Sequence, residues 1–285
     1  MILITGASGT NGREIVAQLS AKGVRARAMV RRREDGKFPP TLNVEFVNGD
    51  FDDASSLNAA LAGVERAFLL SPSSAEQVAR EANFIRAAKR AGVRHVVKFS
   101  ILGAAPDSPS RLIRRHGEAE KMLEDSGIAF TMLRPHYFMQ NLLWYIDDIK
   151  SQGVFYASLP ETYKHSHVDA RDNAAVAVAA LTESGHESKV YHITGSEALT
   201  YREAAEILSQ TIGKKVRYDS SRENYAKFLK KVGLDAEEVL ELDACVATGI
   251  GDGSAVTNTI FEITRQHPIR FMQFANDYSQ AFKAI

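Results

Sequence analysis

Cysteine is scarce in this chain, and neither sign of charge is in excess. Cys245 is the single cysteine among 285 residues, which excludes an internal disulfide framework and suits the reducing cytoplasm, where we expect the protein to reside. Lys and Arg together number 35, and Asp and Glu together also number 35. This balance argues against a basic stripe for a nucleic-acid backbone, so we expect no direct nucleic-acid partner.

Long apolar runs are also absent. No stretch approaches the length of a membrane span, and the apolar run Met1–Thr5 is too short, and lacks the basic leader, for a signal peptide. We therefore expect no membrane partner. What remains is an ordinary globular composition, 45% hydrophobic and 25% charged. The chain is long enough for one large domain, or for one domain and a small lobe.

The start of the chain carries its most specific motif. The run Met1–Thr5 leads into a glycine-rich turn, and the segment after it has helical spacing, with Ile15, Val16 and Leu19 on one face. Arg25–Val30 follows where a second strand is needed. This order predicts a dinucleotide-binding βαβ unit rather than a plain glycine turn of an α/β protein. The turn consists of Gly6, Ala7, Ser8, Gly9, Thr10, Asn11 and Gly12.

Each glycine of the turn has a predicted task. Gly6 permits the tight turn, Gly9 lets the backbone approach a pyrophosphate, and Gly12 lets the helix pack close to the strand. The N-terminus of the helix would then direct N–H groups and the positive end of its dipole at the phosphates. We therefore expect these glycines and the polar residues between them to bind the cofactor.

The end of the second predicted strand indicates which dinucleotide is bound. A unit that binds NAD usually carries Asp or Glu there, whereas this chain has Arg31, Arg32 and Arg33. A carboxylate would repel a 2′-phosphate, and a guanidinium binds one through charge-assisted hydrogen bonds. We therefore expect NADP(H) in preference to NAD(H), with Arg31 as the phosphate contact. Arg32 and Arg33 are either further phosphate contacts or part of a solvated basic loop.

The spacing of apolar segments predicts the fold class. Strands and helices alternate up to Leu133, which predicts an α/β protein with a doubly wound parallel Rossmann sheet and helices on both faces. The later chain is mainly helical, so we expect a small helical C-terminal lobe. Helices are expected, among others, over His136–Lys150, Tyr201–Ile212, Ala236–Ala247 and Met272–Phe282. We divide the chain into an NADP-binding domain over 1–155 and a substrate lobe over 156–285. About 166–195 of the lobe returns to the sheet, with Val190–Ile193 as a seventh strand.

Residues that follow the predicted strands are further candidates for cofactor contact. Asp50 follows the third strand and can accept a hydrogen bond from the adenine amino group, whereas Asp52 and Asp53 are better explained as helix caps. Leu70-Ser71 and Phe99-Ser100 end the fourth and fifth strands. In a doubly wound sheet these ends lie towards the nicotinamide.

Several motifs occur together along the chain. They are Gly6–Gly12, Arg31, Gly49-Asp50, Phe99-Ser100, Lys121 within Gly117–Leu123, Leu133-Arg134-Pro135, and His167–Asp172. The combination resembles the NmrA-like atypical short-chain dehydrogenase/reductases over nearly the whole chain, most strongly before Pro135. Within that family it is most similar to the flavin-free NAD(P)H-dependent quinone and azo-dye reductases.

The resemblance implies two alternative functions. The first is an NADPH-dependent reductase that passes a hydride to a small quinone, azo or related electrophilic aromatic substrate, with NADP(H) and with neither flavin nor metal. The second is a catalytically silent NADP(H)-binding redox sensor that acts on a protein partner as a transcriptional coregulator. A homodimer is an open alternative in both. Beyond the turn, Arg31 and Asp50, the cofactor contacts that we expect are Phe51, Leu70, Ser71, Phe99, Ser100, Lys121, Pro135 and Phe138.

The chain departs from the tyrosine-dependent members of that family. Their Tyr-x-x-x-Lys pair acts as the general acid and base, but none of the nine tyrosines here has Lys four positions later. Gly117 lies four positions before Lys121, at the position that the tyrosine of such a pair would occupy. The resemblance implies that Lys121 positions the ribose; the alternative is a surface lysine paired with Glu118 or Glu124.

Three other residues are candidates for the proton donor. His116 is adjacent to the position of the missing tyrosine, and His136 and Tyr137 follow the sixth strand. Each is either a proton donor or a residue of a pocket wall or surface. An aromatic group near this strand either stacks a planar substrate or forms core. It consists of Phe138, Trp144, Tyr145, Phe155 and Tyr156.

Two further histidines raise the question of a metal. His165 and His167 are two residues apart, so an extended segment would place both on one face. No Cys or acidic partner lies at ligand spacing, and we therefore expect no metal. A surface or structural role explains both residues better.

Overall fold

The computed structural model describes residues 1–32, 38, 44–250 and 252–283 of the chain. The strands are β1 (Ile2–Ile4), β2 (Ala26–Val30), β3 (Val44–Asn48), β4 (Arg66–Leu69), β5 (His95–Phe99), β6 (Ala129–Pro135), β7 (Val154–Tyr156), β8 (Lys164–His165), β9 (Lys189–Ile193), β10 (Leu199–Thr200) and β11 (Arg217–Asp219). The helices of the first half are α1 (Thr10–Ala21), α2 (Ala54–Leu61), α3 (Gln77–Arg90), α4 (Arg111–Asp125), a 3₁₀ helix (Met139–Tyr145) and α5 (Ile146–Gln152). Those of the second half are α6 (Ala170–Thr182), α7 (Tyr201–Ile212), α8 (Arg222–Lys231), α9 (Ala236–Ala247), α10 (Thr259–Thr264), α11 (Phe271–Asp277) and α12 (Ser279–Phe282).

Seven strands form one sheet, in the order β3-β2-β1-β4-β5-β6-β9. Pairing is parallel between all neighbours from β3 to β6. The chain runs outward from β1 to β3 and then returns to the other side of β1 with β4, so the strand order reverses between β1 and β4. Such a reversal is where folds of this type bind ligands. The predicted doubly wound parallel sheet is confirmed, and β9 is the predicted seventh strand.

The central strands are apolar on both faces because helices cover both. Every residue of β1 and β5 is buried, and Leu3, Leu69 and Val96 belong to one hydrophobic core. This burial pattern is typical of parallel sheets, whose strands lack the polar face of a solvated antiparallel sheet. Lys98, within β5, is a charged exception in the buried strand.

Several elements differ from the sequence-based expectation. A helix expected over His136–Lys150 begins only at Met139, because the preceding residues stay extended and Phe138 forms a bridge with Val168. The strand β7 was not expected; it pairs in parallel with β11, whose register joins Val154 to Arg217. A pairing between such distant segments leaves no trace in local periodicity. None of the helices within the described residues is long and apolar enough to cross a membrane.

The chain divides into two compact units. The first unit contains Met1–Asp107, Arg114–Arg134 and Ala170–His192, which include most of the seven-stranded sheet. The second unit contains Ser108–Ile113, Pro135–Asp169 and the chain from Ile193 onward. Helices dominate this later chain, as predicted for the C-terminal part. The functional division into a cofactor domain and a substrate lobe at residue 155 stays a prediction.

Candidate functional site

A glycine turn joins β1 to α1 in the first unit. Gly6 has a φ of +61°, a left-handed conformation that glycine adopts without steric penalty. The N–H of Gly9 donates to the carbonyl oxygen of Gly6 at 3.0 Å. A Cβ at Gly12 would lie 2.1 Å from the same oxygen. The helix therefore passes the turn at a distance that only glycine allows.

The first turn of α1 presents its amide groups without a side-chain cap. Gly9, the N-cap residue, makes no side-chain cap hydrogen bond, and no acidic residue lies in the first turn. Gly9 and Thr10 are exposed, whereas Asn11 is buried. The Nε of Arg13 donates to the carbonyl oxygen of Ser8 at 2.7 Å, which adds positive charge beside the turn. Free N–H groups, the helix dipole and this guanidinium fit the pyrophosphate of a dinucleotide.

The residue before the turn anchors it to β4. The hydroxyl of Thr5 lies 3.0 Å from the carbonyl oxygen of Phe68 and 3.1 Å from that of Leu70, and it accepts the N–H of Leu70 at 2.8 Å. A Cβ at Gly6 would lie 2.9 Å from the oxygen of Leu70. These contacts hold the ends of β1 and β4 together where the strand order reverses.

Arginines and an aspartate follow β2 and β3, at the ends predicted to bind the adenosine half. Arg31 and Arg32 directly follow β2 and are exposed. Arg33 lies outside the described residues. Asp50 is exposed after β3, and its carboxylate accepts the N–H of Asp52 at 2.9 Å. Arg31 and Asp50 are therefore both accessible to a ligand.

The neighbours of Asp50 have structural contacts. The ring of Phe51 packs in the hydrophobic core with its centroid 6.0 Å from that of Phe84, so the side chain of this expected cofactor contact faces the core. Asp53 caps α2, as predicted, through a backbone N–H that its side chain accepts. Asp52 instead pairs with Arg80, with 2.8 Å between Oδ2 and Nη2.

A buried polar network lies at the ends of β4 and β5. The Nζ of Lys98 is 2.6 Å from Oε2 of Glu81 on α3, and both side chains are almost fully buried. The hydroxyl of Ser71 donates to the other oxygen of Glu81 at 2.9 Å. The ion pair therefore joins β5 to α3 and also orients Ser71.

Ser100, at the end of β5, has a hydroxyl group that is free to bond to a ligand. Its N–H donates to the carbonyl oxygen of Leu133 at 2.7 Å. Its hydroxyl is buried and has no hydrogen-bond partner within the described residues. A buried hydroxyl of this kind is satisfied when a polar ligand group binds. Phe99, by contrast, is buried with its ring 5.8 Å from that of Phe68.

His116 joins the same buried network from α4. Its Nε2 lies 3.2 Å from Nε2 of Gln77. Burial, followed by the positive charges of Lys98 and Arg115, holds the pKa of His116 well below its usual value. A ring that is neutral at neutral pH is a poor proton donor, so these surroundings favour the pocket-wall alternative for His116.

Lys121 lies on the outer face of α4. Its side chain is 60% exposed, and its Nζ is 2.5 Å from a carboxylate oxygen of Asp125. These contacts favour the alternative of a surface lysine, with Asp125 rather than Glu118 or Glu124 as its partner. Gly117 also has no room for a side chain, because a Cβ would lie 2.2 Å from the carbonyl carbon of Ala105. The loop at Ala105 therefore occupies the place of the missing tyrosine.

The remaining predicted site residues belong to the second unit and follow β6 directly. Pro135 and His136 are buried, whereas Tyr137 and Phe138 are partly exposed. The Nδ1 of His136 lies 2.7 Å from the hydroxyl of Ser166.

Tyr137 is bonded to a buried carboxyl group. Its hydroxyl donates to Oδ1 of Asp243, on α9, at 2.8 Å. The other oxygen of Asp243 accepts the hydroxyl of Ser158 at 2.7 Å and its N–H at 3.3 Å. Burial raises the pKa of Asp243. Burial, followed by the negative charge of Asp243, raises the pKa of Tyr137 well above its usual value.

His165 and His167 are buried, which favours the structural alternative over the surface one. Their ring centroids are 5.1 Å apart, as expected for one face of an extended segment. Neither ring nitrogen of His165 has a hydrogen-bond partner within the described residues. Burial lowers the pKa of His165 well below its usual value and that of His167 to about 4. In the described part of the chain, no three His, Cys, Asp or Glu side chains lie together as metal ligands would.

The predicted aromatic group is divided between core and more exposed positions. Tyr145 and Phe155 are buried. The ring of Tyr145 stacks on Phe228 with centroids 4.1 Å apart. Trp144 lies apart from this packing, because 51% of it is exposed. These contacts favour the core alternative over a substrate stack for Tyr145 and Phe155.

The sequence reasoning did not identify Asp243 and Lys98. A signal was present for each. Asp243 shares a buried face of α9 with Ala236 and Leu240, at spacings of seven and three residues, where an apolar residue is expected. Lys98 interrupts the apolar strand β5. A charged residue at a buried position needs a partner elsewhere in the fold.

Two surface cavities lie away from these residues. Their volumes are about 310 and 280 Å³, and both are lined by Glu65 and Arg66 at the start of β4. In sheets of this type, ligands bind at the carboxyl ends of the strands, opposite to the start of β4. We therefore do not assign either cavity to the dinucleotide.

Known proteins are similar to this chain over its whole length. It is 38% identical over 286 residues to the NAD(P)H azoreductase of Xenophilus azovorans, with 100% of both chains covered. It is 35% identical to the (4-alkanoyl-5-oxo-2,5-dihydrofuran-3-yl)methyl phosphate reductase of Streptomyces griseus, with 99% of both covered.

Solved structures of related reductases are also similar to this chain. The NADPH complex of the NADPH-dependent quinone oxidoreductase QOR2 from Escherichia coli superposes with a TM-score of 0.85 at 31% identity. The match covers 97% of this chain and 99% of that one. The profile of the NmrA-like family matches residues 1–248. This chain, with its glycine turn on a doubly wound sheet, therefore belongs to the NmrA-like family.

Proposed function

We propose that this protein reduces a quinone, an azo compound or a related electrophilic aromatic acceptor with NADPH and without flavin. At the coarser level, the protein is an NAD(P)H-dependent oxidoreductase. The observation that carries the finer proposal is the uncapped glycine turn, in a chain that is similar throughout to azo and quinone reductases.

The described residues suit each part of the cofactor. The N–H groups after Gly9 would bind the pyrophosphate, Arg31 the 2′-phosphate, and Asp50 the adenine amino group. The hydroxyl of Ser100 would bond to the nicotinamide end, because it is buried without a partner. Lys121 is left out of this proposal because it pairs with Asp125 at the surface.

The missing Tyr-x-x-x-Lys pair is compatible with this class of acceptor. When bound, the nicotinamide supplies a hydride to the acceptor. Quinones and azo compounds place the resulting negative charge on oxygen or nitrogen, so one proton from a single donor completes the reduction and no Tyr-x-x-x-Lys pair is needed. Tyr137 and His136 directly follow β6 and are the proposed proton donors.

The sensor alternative is not favoured. The relatives that cover the whole chain at 35% and 38% identity bear the names of reductases. The buried Asp243 also provides polar chemistry beside Tyr137 that cofactor binding alone would not need.

Purified protein with no added flavin tests the proposal. NADPH consumption, followed by the nicotinamide absorbance, is measured with a panel of quinones and azo dyes. We expect turnover with at least one acceptor class, and loss of turnover in Gly12→Ala, whose turn cannot close (Cβ 2.1 Å from the oxygen of Gly6). Tight NADPH binding without oxidation by any acceptor would reject the reductase and leave the sensor.

Arg31→Ala tests the cofactor preference. Loss of a charge-assisted phosphate contact should weaken NADPH binding by about 1.5–3 kcal/mol and leave NADH binding nearly unchanged. Arg25→Ala is the matched control, because Arg25 is an exposed arginine at the opposite, amino end of β2. Isothermal titration of both cofactors measures the difference. Equal losses for NADPH and NADH would mean that Arg31 does not contact the 2′-phosphate.

A further inference from the structure

We propose that Asp243 supplies the proton that Tyr137 delivers to the reduced acceptor, and that Ser158 stabilises Asp243 after the transfer. The proposal rests on the proposed function and adds two residues to it. Tyr137 would be the catalytic residue, because under the proposed function its hydroxyl gives the proton to the acceptor. Asp243 and Ser158 would act through Tyr137 as positioning residues.

The geometry is that of a short hydrogen-bonded chain. Tyr137 is partly exposed, whereas Asp243 is 1% exposed. The carboxyl group of Asp243 lies between two hydroxyls, at 2.8 Å from that of Tyr137 and at 2.7 Å from that of Ser158. No Lys or Arg forms an ion pair with it within the described residues. A buried carboxylate without a cation is costly, so the cluster can be expected to hold a proton.

The oxygen atoms of Tyr137, Asp243 and Ser158 can keep the same positions whether Asp243 is ionised or neutral. A hydroxyl group can donate one hydrogen bond and accept others. Tyr137 and Ser158 can therefore donate to a carboxylate, or one of them can accept from a neutral carboxyl group. A proton can then move along the chain without any movement of the backbone.

Burial favours the neutral form of Asp243, whereas the hydrogen bonds from Ser158 and Tyr137 act in the opposite direction. Burial raises the pKa of Asp243, and the charge of its ionised form raises the pKa of the surrounding phenols. The positive charge of Arg222 lowers the pKa of Asp243, with an effect that comes after those of burial and the hydrogen bonds. The titratable and charged groups around Asp243 are Tyr137 after β6, Tyr145 of the 3₁₀ helix, Tyr201 of α7, Tyr218 of β11, and Arg222 and Tyr225 of α8.

The proton steps balance without a further reactant. An acceptor that has gained a hydride carries a negative charge on oxygen or nitrogen. The O–H bond of Tyr137 breaks as that atom takes the proton, and the Tyr137 oxygen takes the proton of the Asp243 carboxyl group. The carboxylate that remains is stabilised by the O–H and N–H of Ser158 and regains a proton from water. Without Asp243, the transfer would leave a phenolate on Tyr137, which the burial of its hydroxyl disfavours.

The pH dependence has a definite sign. Because the pKa of Asp243 is raised, its carboxyl group keeps a proton to higher pH than an ordinary aspartic acid. The proton supply is complete below that pKa and is lost as the pH rises through it. We therefore expect kcat to fall on the alkaline side of this pKa.

Asp243→Asn is the central test. The amide keeps hydrogen bonds to Tyr137 and Ser158 but holds no titratable proton. With a quinone acceptor, kcat should fall by about 10²-fold, the alkaline limb due to Asp243 should disappear, and the NADPH dissociation constant should stay within about twofold. Tyr137→Phe should lower kcat similarly. Tyr218→Phe is the control, because that hydroxyl lies 2.5 Å from the carbonyl oxygen of Leu159 and is not bonded to Asp243.

Ser158→Ala gives a second test if Asp243→Asn does not fold. The hydroxyl of Ser158 lowers the pKa of Asp243, so its removal should raise that pKa and move the alkaline limb to higher pH. Infrared difference spectra of the cofactor-free protein provide a readout besides activity. At a pH below the alkaline limb, the carbonyl band of a protonated carboxyl group should be present in the wild type and missing in Asp243→Asn.

The outcomes separate the two proposals. A wild type without turnover for every acceptor overturns the proposed function, and the relay with it. An active wild type, together with an Asp243→Asn variant that keeps its kcat and pH profile, overturns the relay alone. An alkaline limb that does not move in Ser158→Ala, or a missing infrared band, also overturns the relay.

Discussion

Gly12 is the residue at which the turn tolerates least change. In Gly12→Ala, the added Cβ would lie 2.1 Å from the oxygen of Gly6 and 2.7 Å from Cα of Ala7, and backbone atoms cannot move aside cheaply. We expect a loss of about 1–3 kcal/mol in the free energy of unfolding, measured by urea denaturation without cofactor. Gly9→Ala is the control, because its Cβ would lie 3.3 Å from the nearest atom. Equal losses in both variants would contradict the packing argument.

His167 should make stability depend on pH. Burial, followed by the charge of His136, lowers its pKa from 6.5 to about 4. As the pH falls, His167 is therefore protonated near pH 6.5 in the unfolded chain but only near pH 4 in the folded protein. The contribution of the neutral ring to stability is fully present above pH 6.5 and is lost as the pH falls towards 4, by roughly 3 kcal/mol at most.

The variant His167→Gln tests this dependence. Urea denaturation between pH 7 and 4 should show a shallower loss of stability than in the wild type, whatever the variant does to stability at pH 7. His267→Gln is the control, because His267 is exposed. An unchanged slope in His167→Gln would mean that the ring titrates normally in the folded state.

At the scale of elements, the buried ion pair joins β5 to α3. Glu81→Gln would leave the ammonium of Lys98 buried without its counter-charge, and Lys98→Met would do the same to Glu81. Each single variant should lose about 3–5 kcal/mol of unfolding free energy, and the double variant should lose less than the sum. The exposed pair Lys121–Asp125 is the control, and breaking it should cost at most about 1 kcal/mol. Additive losses at Glu81 and Lys98 would contradict a coupled pair.

Most elements follow from local patterns, whereas some boundaries do not. The helices Tyr201–Ile212 and Ala236–Ala247 match the sequence-based expectation at both ends, because capping residues and apolar spacing are local. Thr200 caps the first of these with a capping box. The helix expected to end at Phe282 is instead divided between Phe271–Asp277 and Ser279–Phe282.

For the whole molecule, NADPH should raise the melting temperature. At a concentration 100 times its dissociation constant, a ligand that binds only the folded protein adds about 2.7 kcal/mol, or roughly 5 °C for a chain of this size. NADH at the same concentration should give a smaller shift, since Arg31 then has no 2′-phosphate to bind. Differential scanning fluorimetry measures both shifts. Equal shifts for NADPH and NADH would contradict the proposed preference.

The sequence by itself determined the parts of this protein that depend on neighbours along the chain. The glycine turn, the alternation of strands and helices, and the family resemblance are patterns within a few residues of each other, and they were enough for the parallel sheet and the dinucleotide-binding unit. Arg31 and Asp50 were predicted as cofactor contacts in the same way, because Arg31 follows β2 and Asp50 follows Gly49 at the end of β3.

The tertiary structure decided which polar side chains meet. Asp243 lies 106 residues after Tyr137, and their hydrogen bond exists only because α9 packs against the segment that follows β6. The sequence left Lys121 open between a ribose contact and a surface lysine, and its pairing with Asp125 favours the surface lysine. Side-chain partners of this kind depend on which helix faces pack together and on what burial does to each charge. Neither is encoded in the spacing of residues along the chain.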